Sequence, residues 1–117
     1  MKKSDKFTII YMIELCDDVY YLKERFGDSY DDLIVDKAYQ LAVSMVIVNL
    51  GESVTKLSEE YLEEHSEIPW REIVGMRNIF AHNYLGINFT ELWDTIEYDI
   101  PVLKDSLNNL LNEFEDS

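Results

Sequence analysis

Four polar side chains lie close together near the end of one helical pattern: Arg77, Asn78, His82 and Tyr84. The apolar spacing, and a proline suited to a first helical turn, predict one helix over residues 69–84. Because a helix turns about 100° per residue, Arg77 and Tyr84, seven apart, lie nearly on one line. Asn78 and His82, four apart, lie on the neighbouring line. One flank of this helix therefore carries a guanidinium, an amide, an imidazole and a phenol.

These side-chain types suit the cleavage of a phosphodiester bond in RNA without a metal. An imidazole titrates near neutral pH, so His82 would deprotonate the ribose 2′-hydroxyl or protonate the leaving oxygen. The Arg77 guanidinium would stabilise the charge on the phosphorane. Each residue also has an ordinary structural role open to it. A histidine near a helix end often caps carbonyls, and an arginine on a helix often pairs with a glutamate.

The spacing of Arg77 and His82 restricts how they could act together. Residues five apart on an ideal helix point about 140° away from each other. Two arrangements would bring them to one phosphate. Either the helix ends or distorts before His82, or two copies of the motif face each other across a dimer.

Glu52 is the carboxylate that the sequence places nearest to this chemistry. It follows Gly51 in a predicted helix over residues 33–64, on a stripe with apolar residues, where an unpaired charge costs free energy. Arg77 is the obvious partner, either in a structural ion pair or with Glu52 orienting an active-site group. A glycine in mid-helix costs about 1 kcal/mol relative to alanine, so Gly51 predicts close helix packing or a bend.

Apolar periodicity predicts four main helices in an antiparallel all-α bundle, one of four to five helices in all. They cover residues 6–25, 33–64, 69–84 and a last stretch beginning near residue 89, which Pro101 should kink or split near Asp99. The second helix has two apolar stripes, so it is expected to be covered on more than one side, as in the centre of a bundle or at a subunit interface. The stripes are Val35, Ala38, Ala42, Met45, Asn49 and Glu52, and Val43, Val46, Ile47, Leu50, Val54, Leu57 and Tyr61.

Helix ends are also marked in the sequence. Ser4 or Asp5 could cap the first helix, and Gly27 would end it. Asn88 and Glu91 have the spacing of a capping box at the start of the last helix.

The 117 residues suffice for a single domain over residues 1–117. A net charge of −14 argues against non-specific binding along a nucleic-acid backbone. Any RNA contact should therefore be local or built from more than one subunit, and a basic partner protein also fits this surface.

Other features predict a cytoplasmic protein without a bound metal or cofactor. No apolar run is long enough to span a membrane, and no signal peptide is recognisable. Cys16 is the only cysteine, which excludes an intramolecular disulfide, and it is expected to be a core residue rather than a nucleophile. His65 is expected at the surface near a helix end, not as a metal ligand.

The segment Arg77-Asn-Ile-Phe-Ala-His82-Asn-Tyr84 resembles the signature of HepT-type HEPN toxins: Arg, four residues, His, one residue, Tyr. The resemblance covers most of the chain and is strongest over about residues 41–101. The surrounding residues that carry it are Gly51-Glu52, Ile68-Pro69-Trp70, Gly75-Met76 and Leu92-Trp93.

The resemblance implies a HEPN helical bundle that forms a homodimer, with two motifs lining a shared cleft. It implies a metal-independent endoribonuclease toxin of a type VII-like toxin–antitoxin pair, with Arg77 and His82 catalytic and Asn78 and Glu52 supporting. Its partner would be a cognate minimal nucleotidyltransferase antitoxin, which transfers AMP to the motif tyrosine, here Tyr84.

Two other functions remain open at this stage. The chain could be a non-catalytic HEPN subunit that presents substrate or nucleotide to a nucleotidyltransferase. It could instead be a structural subunit in which Arg77 and Glu52 form an ion pair that locks the dimer.

Overall fold

A computed structural model describes residues 2–80 and 86–116, with the backbone alone at residues 79, 80 and 116. All regular structure in these residues is helical, which confirms the predicted all-α class. None of the helices in these ranges is long and apolar enough to cross a membrane. The elements are α1 (Lys3–Phe26), α2 (Tyr30–Ile34), α3 (Lys37–Val54), α4 (Glu59–Glu64), α5 (Trp70–Gly75), a 3-10 helix (Met76–Phe80), α6 (Phe89–Asp94), a π-helical turn (Thr95–Asp99) and α7 (Ile100–Asp116).

The core forms where α1 packs against both α3 and α7, while α5 and the 3-10 helix pack on α3. Cys16 lies fully buried in this core. Burial, with the nearby Asp17 carboxylate, raises the pKa of the Cys16 thiol to about 12. The thiol is therefore protonated at neutral pH, which confirms Cys16 as a core residue rather than a nucleophile. The largest fully buried apolar side chains of this core include Ile9, Met12, Ile47, Leu50, Leu92, Ile96 and Leu107.

The first helix begins earlier than the sequence predicts. Its N-cap is Lys2, whose side chain makes no capping hydrogen bond. The expectation that Ser4 or Asp5 caps α1 is therefore wrong. Asp5 instead accepts hydrogen bonds from the backbone N (2.9 Å) and the hydroxyl (2.8 Å) of Ser58. Gly27 ends the helix as predicted, with a φ of 127° that side chains rarely adopt.

The prediction of a single helix over residues 33–64 is wrong, since the chain forms the end of α2, then α3 and α4 there. One capping residue begins a new helix after each of the two breaks. Asp36 Oδ1 accepts hydrogen bonds from the backbone N atoms of Ala38 and Tyr39, and Ser58 Oγ accepts one from Tyr61 N. The apolar spacing continues across both breaks, so periodicity alone could not show them.

Only one of the two stripes predicted for this region is buried. Val43, Ile47, Leu50 and Val54 face the core. The other stripe is largely open to solvent in the single chain: Met45 is 56% exposed and Glu52 is exposed, while Ala42 and Asn49 are half-buried. Coverage on more than one side therefore does not occur within one subunit.

The end of the chain follows the sequence prediction closely. Asn88 Oδ1 accepts a hydrogen bond from Glu91 N at 3.0 Å, which confirms the predicted cap. A π-helical turn, Thr95–Asp99, then separates α6 from α7. Pro101 has no N–H to donate back to the preceding turn, so a distortion at this place is expected and confirmed.

Candidate active site

Gly51 allows α3 to approach the segment that carries the predicted arginine. A Cβ atom at Gly51 would lie 2.8 Å from the Arg77 backbone N and 2.9 Å from the Ile73 carbonyl oxygen. Both are backbone atoms, which cannot rotate away. The absence of a side chain at residue 51 thus sets the distance between α3 and the first residues of the motif, which confirms the close packing predicted for Gly51.

The Arg77 guanidinium lies at the surface, beside the carboxylate predicted to be its partner. Its Nη1 is 3.7 Å from Oε1 of Glu52, and the two side chains are 40% and 53% exposed. Such an exposed, long ion pair contributes little to stability, so the guanidinium remains accessible to an anion. The contact itself was predicted. The prediction that Glu52 lies buried among apolar residues is wrong, because its side chain is exposed.

The motif segment is not one regular helix. α5 ends at Gly75, and a tighter 3-10 helix covers Met76–Phe80. A 3-10 helix has three residues per turn, so the angular spacing of an α-helix does not apply beyond Gly75. The helix therefore ends before residue 82. This is one of the two arrangements that the sequence allowed, the other being two motifs that face each other across a dimer. His82 and Tyr84 themselves lie outside the described residues, and their positions stay predictions.

Asn78 is exposed and lines a cavity of about 520 Å³ between the 3-10 helix and α6. No lysine or arginine among the described residues lines the same cavity. Four carboxylates do: Glu72, Glu91, Asp94 and Asp99. Negative charge here repels a phosphate group. An anion would therefore reach Arg77 from the side of α3 rather than through this cavity. Within residues 2–80 and 86–116, no group of His, Cys, Asp and Glu is placed to hold a metal.

The turn that precedes α5 is fixed by a buried histidine, not an exposed one as predicted. His65 is 9% exposed, and its carbonyl oxygen accepts a hydrogen bond from Trp70 Nε1 at 2.9 Å. Its ring lies 4.5 Å from the Tyr61 ring, and its Nδ1 and Nε2 face the carboxylates of Glu67 and Glu113. This packing orients the first turn of α5, so the role of His65 is structural.

The sequence also gave no indication of the ion pair that holds the π-helical turn. Lys23 Nζ lies 2.7 Å from Glu97 Oε2 and 3.3 Å from Asp28 Oδ1. Burial lowers the pKa of Lys23, but its bonds to Glu97 and Asp28 outweigh this and raise the pKa above its usual value. Lys23 and Glu97 are 74 positions apart. No local pattern could connect them.

The fold and the exposed arginine define a helical HEPN-type bundle. A family model described as "Ribonuclease HepT-like" matches residues 15–110, which is most of the chain. The chain therefore belongs to the HepT-like ribonuclease family, as its motif predicted.

Similar proteins agree with this assignment. The chain is 32% identical over 111 residues to "Probable ribonuclease HepT" of Thermococcus cleftensis, covering 94% of this chain and 98% of that protein. It is 34% identical over 104 residues to "Putative RNase TTE0752" of Caldanaerobacter subterraneus subsp. tengcongensis, covering 88% and 93%. No solved structure matches the chain.

Proposed function

We propose that this protein is a metal-independent endoribonuclease that acts in the cytoplasm as the toxin of a toxin–antitoxin pair. The observation that carries this function is the Arg77 guanidinium, which is exposed at the surface and held beside Glu52 by the close packing of Gly51. Membership of the HepT-like ribonuclease family supports it. Arg77 and His82 are the proposed catalytic residues, with Asn78 supporting them.

The proposed reaction is an internal transfer at phosphorus. The ribose 2′-oxygen forms a bond to phosphorus and the bond from phosphorus to the 5′-oxygen breaks, which leaves a cyclic phosphate and a 5′-hydroxyl. His82 takes the proton from the 2′-hydroxyl or gives one to the leaving oxygen. Arg77 donates hydrogen bonds to the charged phosphate oxygens, whose negative charge grows in the transition state.

A homodimer would supply the second motif, and the exposed side of α3 is the surface that fits it. Residues 38–51 contain no charged residue, in a chain of which 29% is charged. One face of α3 has exposed and half-buried positions at helical spacing, which we name the α3 strip; Ala42 and Asn49 are half-buried and the others exposed: Ala38, Leu41, Ala42, Met45, Asn49 and Glu52. The strip ends at Glu52, beside Arg77. A second copy seated on it would therefore bring two Arg77 side chains to the edges of one interface.

The test of catalysis is cleavage of cellular RNA in EDTA by the purified wild type and by His82→Ala. We expect cleavage by the wild type and a large loss in the variant. Equal cleavage by both proteins would remove His82 from the mechanism, and cleavage that stops in EDTA would contradict a metal-independent reaction.

The test of the dimer is Met45→Glu, which places a charge in the middle of the α3 strip. Tyr21→Glu is the matched control, because Tyr21 is equally exposed on α1, at 57% against 56% for Met45. We expect sedimentation equilibrium to show a monomer only for Met45→Glu, together with loss of RNA cleavage. A dimer that survives this substitution would exclude the strip as the interface.

The proposed partner is a minimal nucleotidyltransferase antitoxin that modifies Tyr84. The phenolic oxygen would attack the α-phosphorus of ATP and lose its proton, while pyrophosphate leaves. Intact mass after incubation with that partner and ATP should show one added AMP on the wild type and none on Tyr84→Phe. An adduct on both proteins would place the modification elsewhere.

A non-catalytic subunit that presents substrate or nucleotide to a nucleotidyltransferase is the second candidate. The four carboxylates around the cavity beside Asn78 favour it, because they weaken binding of RNA. The two functions predict different effects in cells. Expression without the partner should arrest growth if the protein is a toxin, and should have no effect if it is a binding subunit.

A further inference from the structure

A second cavity lies on the side of α5 that faces away from α3. Its volume is about 390 Å³, within the range of small-molecule and side-chain pockets. Pro69, Ile73 and Met76 form one wall, and Val102, Leu103 and Ser106 of α7 form the other. We name it the α5–α7 groove. Because α5 packs mainly on α3, this groove is a different surface from the α3 strip.

Two carboxylates line the groove, and both also line the cavity beside Asn78. Glu72 projects from α5 and Asp99 from the end of the π-helical turn, and both are exposed. Neither forms an ion pair with any residue in the described ranges. An apolar floor between two uncompensated negative charges is complementary to an apolar side chain with a cation beside it.

The apolar character of this surface continues beyond the groove. Val102, which lines the groove, and Tyr98, four residues before it in the chain, are each 67% exposed. Exposed apolar side chains that border a cavity mark sites of protein association more often than isolated ones do. RNA would fit poorly, because its phosphates would meet Glu72 and Asp99 and its bases would have no cationic contact there.

We propose that the α5–α7 groove binds a basic amphipathic helix of a partner protein. An apolar side chain of that helix occupies the cavity between Ile73 and Leu103. A lysine or arginine one turn away lies between Glu72 and Asp99. Such apolar residues at helical spacing are the usual anchors of a helix in a groove.

The test uses a fluorescent synthetic helix of leucine and arginine as the probe, titrated with the full chain and followed by anisotropy. The groove variant is Glu72→Gln with Asp99→Asn. Its matched control is Glu14→Gln with Asp18→Asn, which removes the same charge from exposed carboxylates of α1. We expect binding to weaken about tenfold in the groove variant and to change less than about twofold in the control.

Val102→Asp supplies an independent test of the apolar wall, at an exposed position where folding should survive. This substitution adds negative charge, so general attraction for a basic probe would increase. Weaker binding in Val102→Asp would therefore show that the probe occupies the groove. Unchanged or tighter binding, or equal losses in the two double variants, would overturn the proposal. Weaker binding of a labelled RNA with an unchanged affinity for the helix would assign the groove to RNA instead.

Discussion

Two polar contacts join distant segments of this molecule, and they differ in almost every physical respect. Asp5 is 1% exposed and accepts two short hydrogen bonds from Ser58, which attach α4 to α1. Glu52 and Arg77 are both about half exposed, with 3.7 Å between the nearest charged atoms. The first contact satisfies a buried charge, while the second leaves a charge open to solvent.

The difference separates residues that stabilise the fold from residues available for binding. Removing one partner of a buried polar pair leaves the other unsatisfied, so the fold loses stability. Removing one partner of an exposed pair changes stability little. Substitutions at the two contacts should therefore affect different measurements, and four predictions follow from this contrast.

Arg77→Ala should have the largest effect, and on cleavage rather than stability. Loss of a group that stabilises the transition state lowers the rate by about 10²–10³-fold. The free energy of unfolding in urea should change by less than about 1 kcal/mol. Arg71→Ala, on the preceding helix α5, is the matched control and should keep its activity. A comparable loss in the control would indicate that the general positive charge of this segment, and not the Arg77 guanidinium in particular, supports cleavage.

Asp5→Ala should show the opposite behaviour. It leaves the backbone N and the hydroxyl of Ser58 without their acceptor, which costs about 1.5–3 kcal/mol for hydrogen bonds to a charged group. Chemical denaturation measures the loss, and Asp18→Ala, at an exposed position of α1, is its control. Cleavage per folded molecule should be unchanged. Equal stability of the two variants would contradict a stabilising role for Asp5.

Gly51→Ala tests the packing that holds the exposed pair in place. The new Cβ would meet backbone atoms of Arg77 and Ile73 within 3 Å, so overpacking should destabilise the fold by about 1–3 kcal/mol. Among the described residues, no atom outside the helix's own backbone and the neighbours of Gly75 lies within 4 Å of such a Cβ, so Gly75→Ala should be neutral or stabilise by up to about 1 kcal/mol. Thermal unfolding should show a lower midpoint temperature for Gly51→Ala and an unchanged or higher one for Gly75→Ala. Destabilisation of similar size at both positions would contradict this expectation.

Glu52→Gln should have the smallest effect. The amide keeps an oxygen near Arg77 but removes the charge, so stability should change by less than about 1 kcal/mol. Cleavage should fall only a few-fold, because the guanidinium loses part of its restraint. An increase in cleavage would show instead that Glu52 competes with the phosphate for Arg77.

The sequence predicted best the features that local chemistry determines. Gly27 and Asn88 are at helix ends because a positive φ and an Asx cap have unambiguous residue preferences. Gly51 and Pro101 each break a rule of helix composition, so a packing contact and a distortion were expected where the structure has them. The pairing of Glu52 with Arg77 was predicted because a carboxylate on a stripe of apolar residues costs free energy unless a cation partners it.

The errors come from caps and side-chain contacts that the apolar periodicity does not encode. Periodicity continues through residues 33–64, so the breaks at Asp36 and Ser58 could have been recognised only from their capping residues. His65 was expected to be exposed because four glutamates precede it, yet its ring packs on Tyr61 and its carbonyl oxygen accepts a hydrogen bond from Trp70 Nε1. The α3 strip was expected to be covered because most of its residues are apolar, yet Met45 is 56% exposed in the single chain.

The π-helical turn has a consequence for the rotation of the last helical run. In an uninterrupted α-helix, Ile100 would be turned about 80° away from Leu92, because eight residues complete more than two turns. Yet Leu92, Ile96 and Ile100 are all fully buried. The wider turn at Thr95–Asp99 contains the additional residue that brings these three side chains into phase. The last helical run therefore shifts its rotation at Thr95–Asp99, and the apolar faces before and after this turn pack on one continuous core.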